Sequence, residues 1–355
     1  MKRWQTILLG LIIGLGFLAL AMWQAEPGKM LAAFQTARYQ FVALSVVGLF
    51  ITLVVRGVRW SVLTEGRLSS VDAFWLFNIG FLFNNVLPAR LGEITRAFLA
   101  GHRPDMHFTS ALSSIIVERL FDMVSVAIQL GVVLLILPLP QWAKSAGIVM
   151  GASAIIGIVV LAVAARYPDW GLNVGSTLLA LLPRIDRDQA REFIQPYVEG
   201  LGGVSNMNIF VGGLLLSLLA WAVSGLTAWL LMLAFWDRAS LISGQLAVAA
   251  AGLGVAIPGA PGGVGPFEWA VINALAAIHL DLDIARSYAL ALHLLNLGGT
   301  SILGGIGLLR EGVSFGEVAS QARSLRHTDD EQGSHKPVVV LTPNNPNQPD
   351  HRSND

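Results

Sequence analysis

Three charged residues, Arg90, Glu93 and Arg96, lie in the stretch NNVLPARLGEITR, Asn84 to Arg96, among segments that are almost wholly apolar. An arginine at the start of a half-helix suits a phosphate, because its planar fork binds two oxygens and the helix N-terminus adds free N–H donors. Glu93 and Arg96 stand three apart and share a helical face, so a local ion pair is the other use open to them. Further on, VERLFDM sets Glu118 and Asp122 four apart, a like-charge pair that destabilises a helix unless a cation sits between them. Arg119 could serve locally, or Arg90 or Arg96 from another helix. Glu268 is the only charge between Arg238 and Asp281, available to an arginine or to the amine of a zwitterionic or cationic head group. His293, Asn296 and Thr300 share one helical face. They either bond to neighbouring helices or form a proton relay through an imidazole that titrates near neutrality.

The elements that position these groups must cross a membrane. The chain is 54% hydrophobic and 13% charged with a mean hydropathy of +0.63, which excludes an ordinary soluble domain. A spanning helix needs roughly 20 apolar residues. Charge-free gaps of that order separate Arg3 from Glu26, Arg38 from Arg56, Asp122 from Lys144, Lys144 from Arg166, Glu199 from Asp237, Arg238 from Glu268 and Arg286 from Arg310. They place spans near residues 7–23, 39–55, 109–137, 147–165, 209–236 and 288–309. Met1-Lys2-Arg3, the first apolar run and Ala19-Leu20-Ala21 also fit a cleaved secretory signal, although signal cores are shorter than spans. With the N-terminus in the cytoplasm, Arg56, Arg59 and Arg67 fall inside, and Lys144, Arg238 and Arg286 fall singly in outside loops, as the positive-inside rule asks. Arg56, Arg59 and Trp60 then read as interfacial anchors.

Two apolar segments are broken in the middle. The first, residues 72–100, is interrupted at Pro88 and Gly92. The second, after Asp237, contains PGAPGGVGPFEWAV, where Pro258, Pro261 and Pro266 with Gly259, Gly262, Gly263 and Gly265 cannot sustain one helix. Irregular backbone at membrane depth is tolerated only where protein or a water-filled cavity satisfies it, so both read as re-entrant hairpins. Each runs apolar half-helix, proline, glycine turn, then a glutamate, Glu93 or Glu268. Entering from opposite sides, they form an inverted repeat, the sequence signature of a transport site near the midplane. The mixed-charge loop at about 166–207 predicts a cytoplasmic surface helix. Residues 313–355 read as a disordered cytoplasmic tail after a membrane domain over 1–312.

The set RGVRW (Arg56 to Trp60), NNVLPARLGEITRAFLA (Asn84 to Ala100), VERLFDM (Val117 to Met123) and PGAPGGVGPFEWAV (Pro258 to Val271) resembles the flippase-like transmembrane family, typified by the membrane region of lysylphosphatidylglycerol synthases, the multiple peptide resistance factors. The resemblance implies a prokaryotic inner-membrane protein that moves a lipid or lipid-linked group between leaflets. It carries no aminoacyl-transferase portion, so lipid aminoacylation is not implied, and phospholipids and polyprenyl-phosphate carriers both stay open as substrates.

The fold expected is thus an all-α polytopic membrane protein with about six transmembrane helices and two re-entrant broken helices. Arg90, Arg96 and Arg119 are expected to draw a head-group phosphate, balanced by Glu93, Glu118, Asp122 and Glu268. The partners are a membrane lipid or lipid-linked substrate and, beyond that, a second copy of the chain or a biosynthetic enzyme. Zero net charge gives no pull toward nucleic acid. No cysteine, HExxH or GxxxxGK[ST] motif is present, so no metal, cofactor or ATP is expected, and the protein is not expected to be an enzyme. An intramembrane enzyme on lipid-linked sugar or phosphate, a small-solute transporter and a scaffold recruiting partners by its tail are the rival readings.

Overall fold

A computed structural model of the chain describes residues 3–87, 91–137, 141–180, 186–199, 201, 206–256 and 261–316. Pro88, Arg90 and Pro258 therefore lie outside the described residues, as does the tail from 317 onward. Among the described residues the fold is all helical. Four helices are long and apolar enough to cross a membrane: α3 (Tyr39–Leu63), α6 (Phe108–Ile136), α10 (Met207–Phe235) and α13 (Leu282–Glu311). Two more occupy the other expected spans, α1 (Arg3–Ala21) and α7 (Gln141–Arg166).

Several expectations change. The first loop contains a short helix, α2 (Pro27–Gln35), that begins with proline at its first turn. Lys144 lies within α7 and Arg286 within α13, so neither is a loop residue. The Arg286 guanidinium is buried, bonds Asp283 at 2.7 Å and donates to the carbonyls of Ala21 and Trp23, which ties the end of α1 to α13. The mixed-charge loop holds two helices, α8 (Pro168–Leu179) and α9 (Arg187–Glu199), where one was expected. Phe315, assigned to the tail, stacks on Phe83 at 4.5 Å, so the packed structure continues past residue 312.

The first broken segment is a helical hairpin of α4 (Ser70–Val86) and α5 (Leu91–Ala100). Ser69 caps α4 by accepting from the Asp72 N–H, which fixes where the hairpin begins. Its two outer ends return together: Asp72 in the first turn of α4 and Arg103 after α5 lie 3.8 Å apart, with Arg310 and Glu311 of α13 beside them. Gly92 permits the close approach of the two arms, since a Cβ there would strike the Gly80 carbonyl and the Asn84 side chain.

The second is α11 (Leu241–Ala256), a 3-10 turn (Pro261–Gly263) and α12 (Pro266–Ala276). Gly262, Gly263 and Gly265 all have positive φ, a conformation β-carbon residues rarely take, and Pro266 opens α12. The mouth of the first hairpin packs with Met106, just before α6, and with Ala111 and Ile115 near its start. The arms of the second pack with Leu130 and Val133 near its end. The hairpins thus enter from opposite ends of the bundle. Their tips meet, because Gly262 lies against the backbone of Asn85. Asn85 in turn donates to Thr300 and Ser301 of α13 at 3.0 and 2.9 Å, pinning the first tip to the last long helix.

Candidate functional site

Glu118 and Asp122 lie on one face of α6, Asp122 about 21 Å along it at a rise of 1.5 Å per residue. The cation between them comes from α3. Arg59, completely buried, places one nitrogen 3.2 Å from Glu118 and another 2.5 Å from Asp122, and also donates to Ser217 of α10 at 3.0 Å. Arg96 of α5 approaches the other Glu118 oxygen at 3.2 Å. Its guanidinium lies between the rings of Trp60 and Phe77, at 4.3 and 4.8 Å, a setting that offsets desolvation by up to about 2 kcal/mol. Trp60 is held in turn by Ser114. Trp221 of α10 donates its indole N–H to Asp122 at 2.9 Å.

Glu93 and Arg96 do not pair with each other, although one helical turn separates them. Glu93 instead meets Arg119 across the helix gap at 3.2 Å, and Arg119 lies 3.6 Å from Asp122. The reason is burial: Arg96 points into the core toward Glu118, while Glu93 and Arg119 stay partly exposed at 21% and 42%. These two form the open side of a recess also lined by Phe77, Gly80, Phe81, Asn84, Gly92 and Arg96. Asn84 closes its end by accepting the Gly92 N–H at 2.8 Å. Glu93, Arg96, Glu118, Arg119 and Asp122 are therefore one network.

Arg59, expected as an interfacial anchor, is instead wholly buried in the ion network. Arg56 is half-buried, its guanidinium 5.9 Å from the Phe81 ring and 5.7 Å from the Trp221 ring. Among the described residues no carboxylate pairs with it, and its Nε is buried without a partner. The sequence signal in RGVRW goes only as far as the spacing: Arg56 and Arg59 are three apart and share a face of α3.

Glu268 meets neither an arginine nor the first network. Buried on α12, it bonds His293 Nδ1 at 2.7 Å through one oxygen and accepts the Gly265 N–H at 2.8 Å with the other. Phe267 stacks on the imidazole at 4.3 Å. Asn296 turns its amide back to the Leu292 carbonyl, so it does not continue a relay from His293.

Comparison with known proteins shows the family of the chain. The family described as "Lysylphosphatidylglycerol synthase TM region" matches residues 7–304. A glycosyltransferase, AglD of Haloferax volcanii, is 27% identical over 94% of this chain, which spans 59% of that protein's length. A UPF0104 membrane protein of Methanothermobacter thermautotrophicus is 24% identical over 92% of the chain and 99% of its own length. Another, from Pyrococcus horikoshii, is 23% identical over 87% and 97%. No solved structure matches the chain.

Proposed function

The chain belongs to the lysylphosphatidylglycerol synthase transmembrane-region family, and from that premise we propose that it moves the phosphate-bearing head group of a phospholipid or polyprenyl-phosphate carrier across the inner membrane. One observation carries the reading. Arg56, Arg59, Arg96 and Arg119 bring four positive charges to a site where Glu93, Glu118 and Asp122 supply three negative ones. The remaining charge belongs to Arg56, which has no carboxylate partner among the described residues.

A net positive charge inside apolar surroundings is costly until an anion joins it. A phosphodiester head group bears one negative charge and suits guanidinium donors. Arg119, at the open side of the recess, and Arg56, beside its lining residue Phe81, would take the phosphate oxygens. Arg59 and Arg96, locked on Glu118 and Asp122, hold the field rather than the ligand. Acyl tails would stay in the bilayer, and both termini would lie in the cytoplasm. The residues bind and release; no covalent step is assigned to them.

The test reconstitutes the full chain in liposomes and follows leaflet accessibility of labelled phosphatidylglycerol, phosphatidylcholine and a polyprenyl phosphate. Faster exchange of the anionic lipids than in protein-free vesicles, lost in Arg56→Gln, is the expected result. Rates equal to protein-free vesicles across all three would overturn the reading.

A further inference from the structure

His293 faces an acceptor at each ring nitrogen. Nε2 lies 2.9 Å from the Gly262 carbonyl, which can only accept, so Nε2 carries a hydrogen. Nδ1 lies 2.7 Å from Glu268 Oε1, a contact that also needs a hydrogen, on the ring or on the carboxyl. The arrangement therefore holds one proton more than a neutral imidazole beside a carboxylate, and the pair is neutral overall. When that proton leaves, one hydrogen remains for two contacts. Either the ring releases Gly262 or it faces the carboxylate lone pairs unprotonated.

Neighbouring charge does not substitute for the missing proton. Glu268 is the only titratable group on α12, and neither α11, the 3-10 turn nor α10 carries an acid, base or tyrosine. On α13, Asp283 and Arg286 are paired with each other, Tyr288 donates to the Ala228 carbonyl, and Arg310 and Glu311 pair with Asp72 of α4 and with Arg103. Lys29 of α2 is bonded to Glu26, Arg59 of α3 to the first network, and Tyr39 to the Phe34 carbonyl. Arg56 of α3 stays with Phe81 and Trp221. The charge of α1 is Arg3, its first residue, whereas the part of α1 beside Gly265 is Gly14 to Leu18.

The turn held by this proton touches the head-group recess. Gly262 rests on Asn85, and the adjacent Asn84 holds Gly92 and lines the recess. We propose that Glu268 and His293 form a one-proton site whose loss frees the Gly262 turn from His293 and loosens the meeting tips of the two hairpins. This makes a proton gradient the energy source of the lipid movement proposed above, and that second step rests on that reading. A transported proton binds on one side, where the tips are held, and leaves on the other, where they part.

The test exploits a chain without cysteine. Val264→Cys, half-buried beside the turn, is labelled with a water-soluble maleimide in the full-length reconstituted protein across a pH series from about 5 to 9. Rates are normalised to the unfolded chain at each pH, which removes the thiol's own titration. The expected result is about a tenfold rise as the proton leaves, the change that one pKa unit of preference produces. Glu268→Gln donates its amide to Nδ1 and mimics the protonated pair, so labelling should stay slow at all pH. His293→Gln, a second variant, should lose the pH dependence as well. A flat wild-type profile, or the same rise in both variants, would overturn the proton site. A rise confined to wild type, with no lipid movement under any pH gradient, would leave the proton site standing and remove the transport reading.

Discussion

Around the first break, α4 and α5 bring Glu93 and Arg96 against Arg119 and Glu118, and three helices contribute buried charge. Around the second, α11 and α12 bring a single carboxylate, and its partner is an imidazole. Both breaks use glycine to bring backbones close, and both put a glutamate in the first turn of the second arm. The difference lies in what each glutamate can leave behind. Glu93 sits in a network with one guanidinium nearby that no carboxylate pairs among the described residues, the feature on which the proposed anion binding rests. Glu268 sits in a pair that is neutral only while protonated, the feature on which the proposed proton site rests. Similar backbone devices can thus serve ligands of opposite charge, set by which cations the neighbouring spans supply.

The largest effect expected on this contrast comes from Glu118→Ala. It leaves Arg59 and Arg96 buried without their shared carboxylate and should cost about 3–5 kcal/mol, read as a lower unfolding midpoint in detergent. Arg56→Gln removes a group with no carboxylate partner, so stability should hardly move. Affinity for an anionic head group should fall about 10- to 100-fold, the loss of one charged hydrogen-bonding group. Gly92→Ala drives a methyl into the Gly80 carbonyl and should destabilise by about 1–3 kcal/mol through overpacking, which thermal unfolding reports. Arg103→Ala, at the exposed mouth rather than the tip, loses partly solvated pairs with Asp72 and Glu311 and should cost at most about 1 kcal/mol.

The sequence made the helices and both breaks legible for a physical reason: charge-free runs and clustered proline and glycine act locally. Glu118 and Asp122 also showed a need for a cation, because four-residue spacing puts both on one face. Which cation met it was not legible. Arg59 lies 63 positions away in α3, and its contact depends on how α3, α6 and α10 pack. The same holds for Glu268 and His293, separated by 25 residues and joined only when α12 folds back on α13. The local Glu93–Arg96 pair failed because burial divides the two: Arg96 goes to the core and Glu93 to the open side. Loop assignments for Lys144 and Arg286 failed because a charge inside a helix end looks the same as one in a short loop.

The central claim is that the first network carries an unfilled positive charge that selects an anionic lipid. Native mass spectrometry of the full chain, released from equal mixtures of phosphatidylglycerol and phosphatidylcholine, measures that preference directly. Wild type should retain phosphatidylglycerol over phosphatidylcholine, and Arg56→Gln should retain the two alike. An unchanged preference in Arg56→Gln, or none in wild type, would contradict the account.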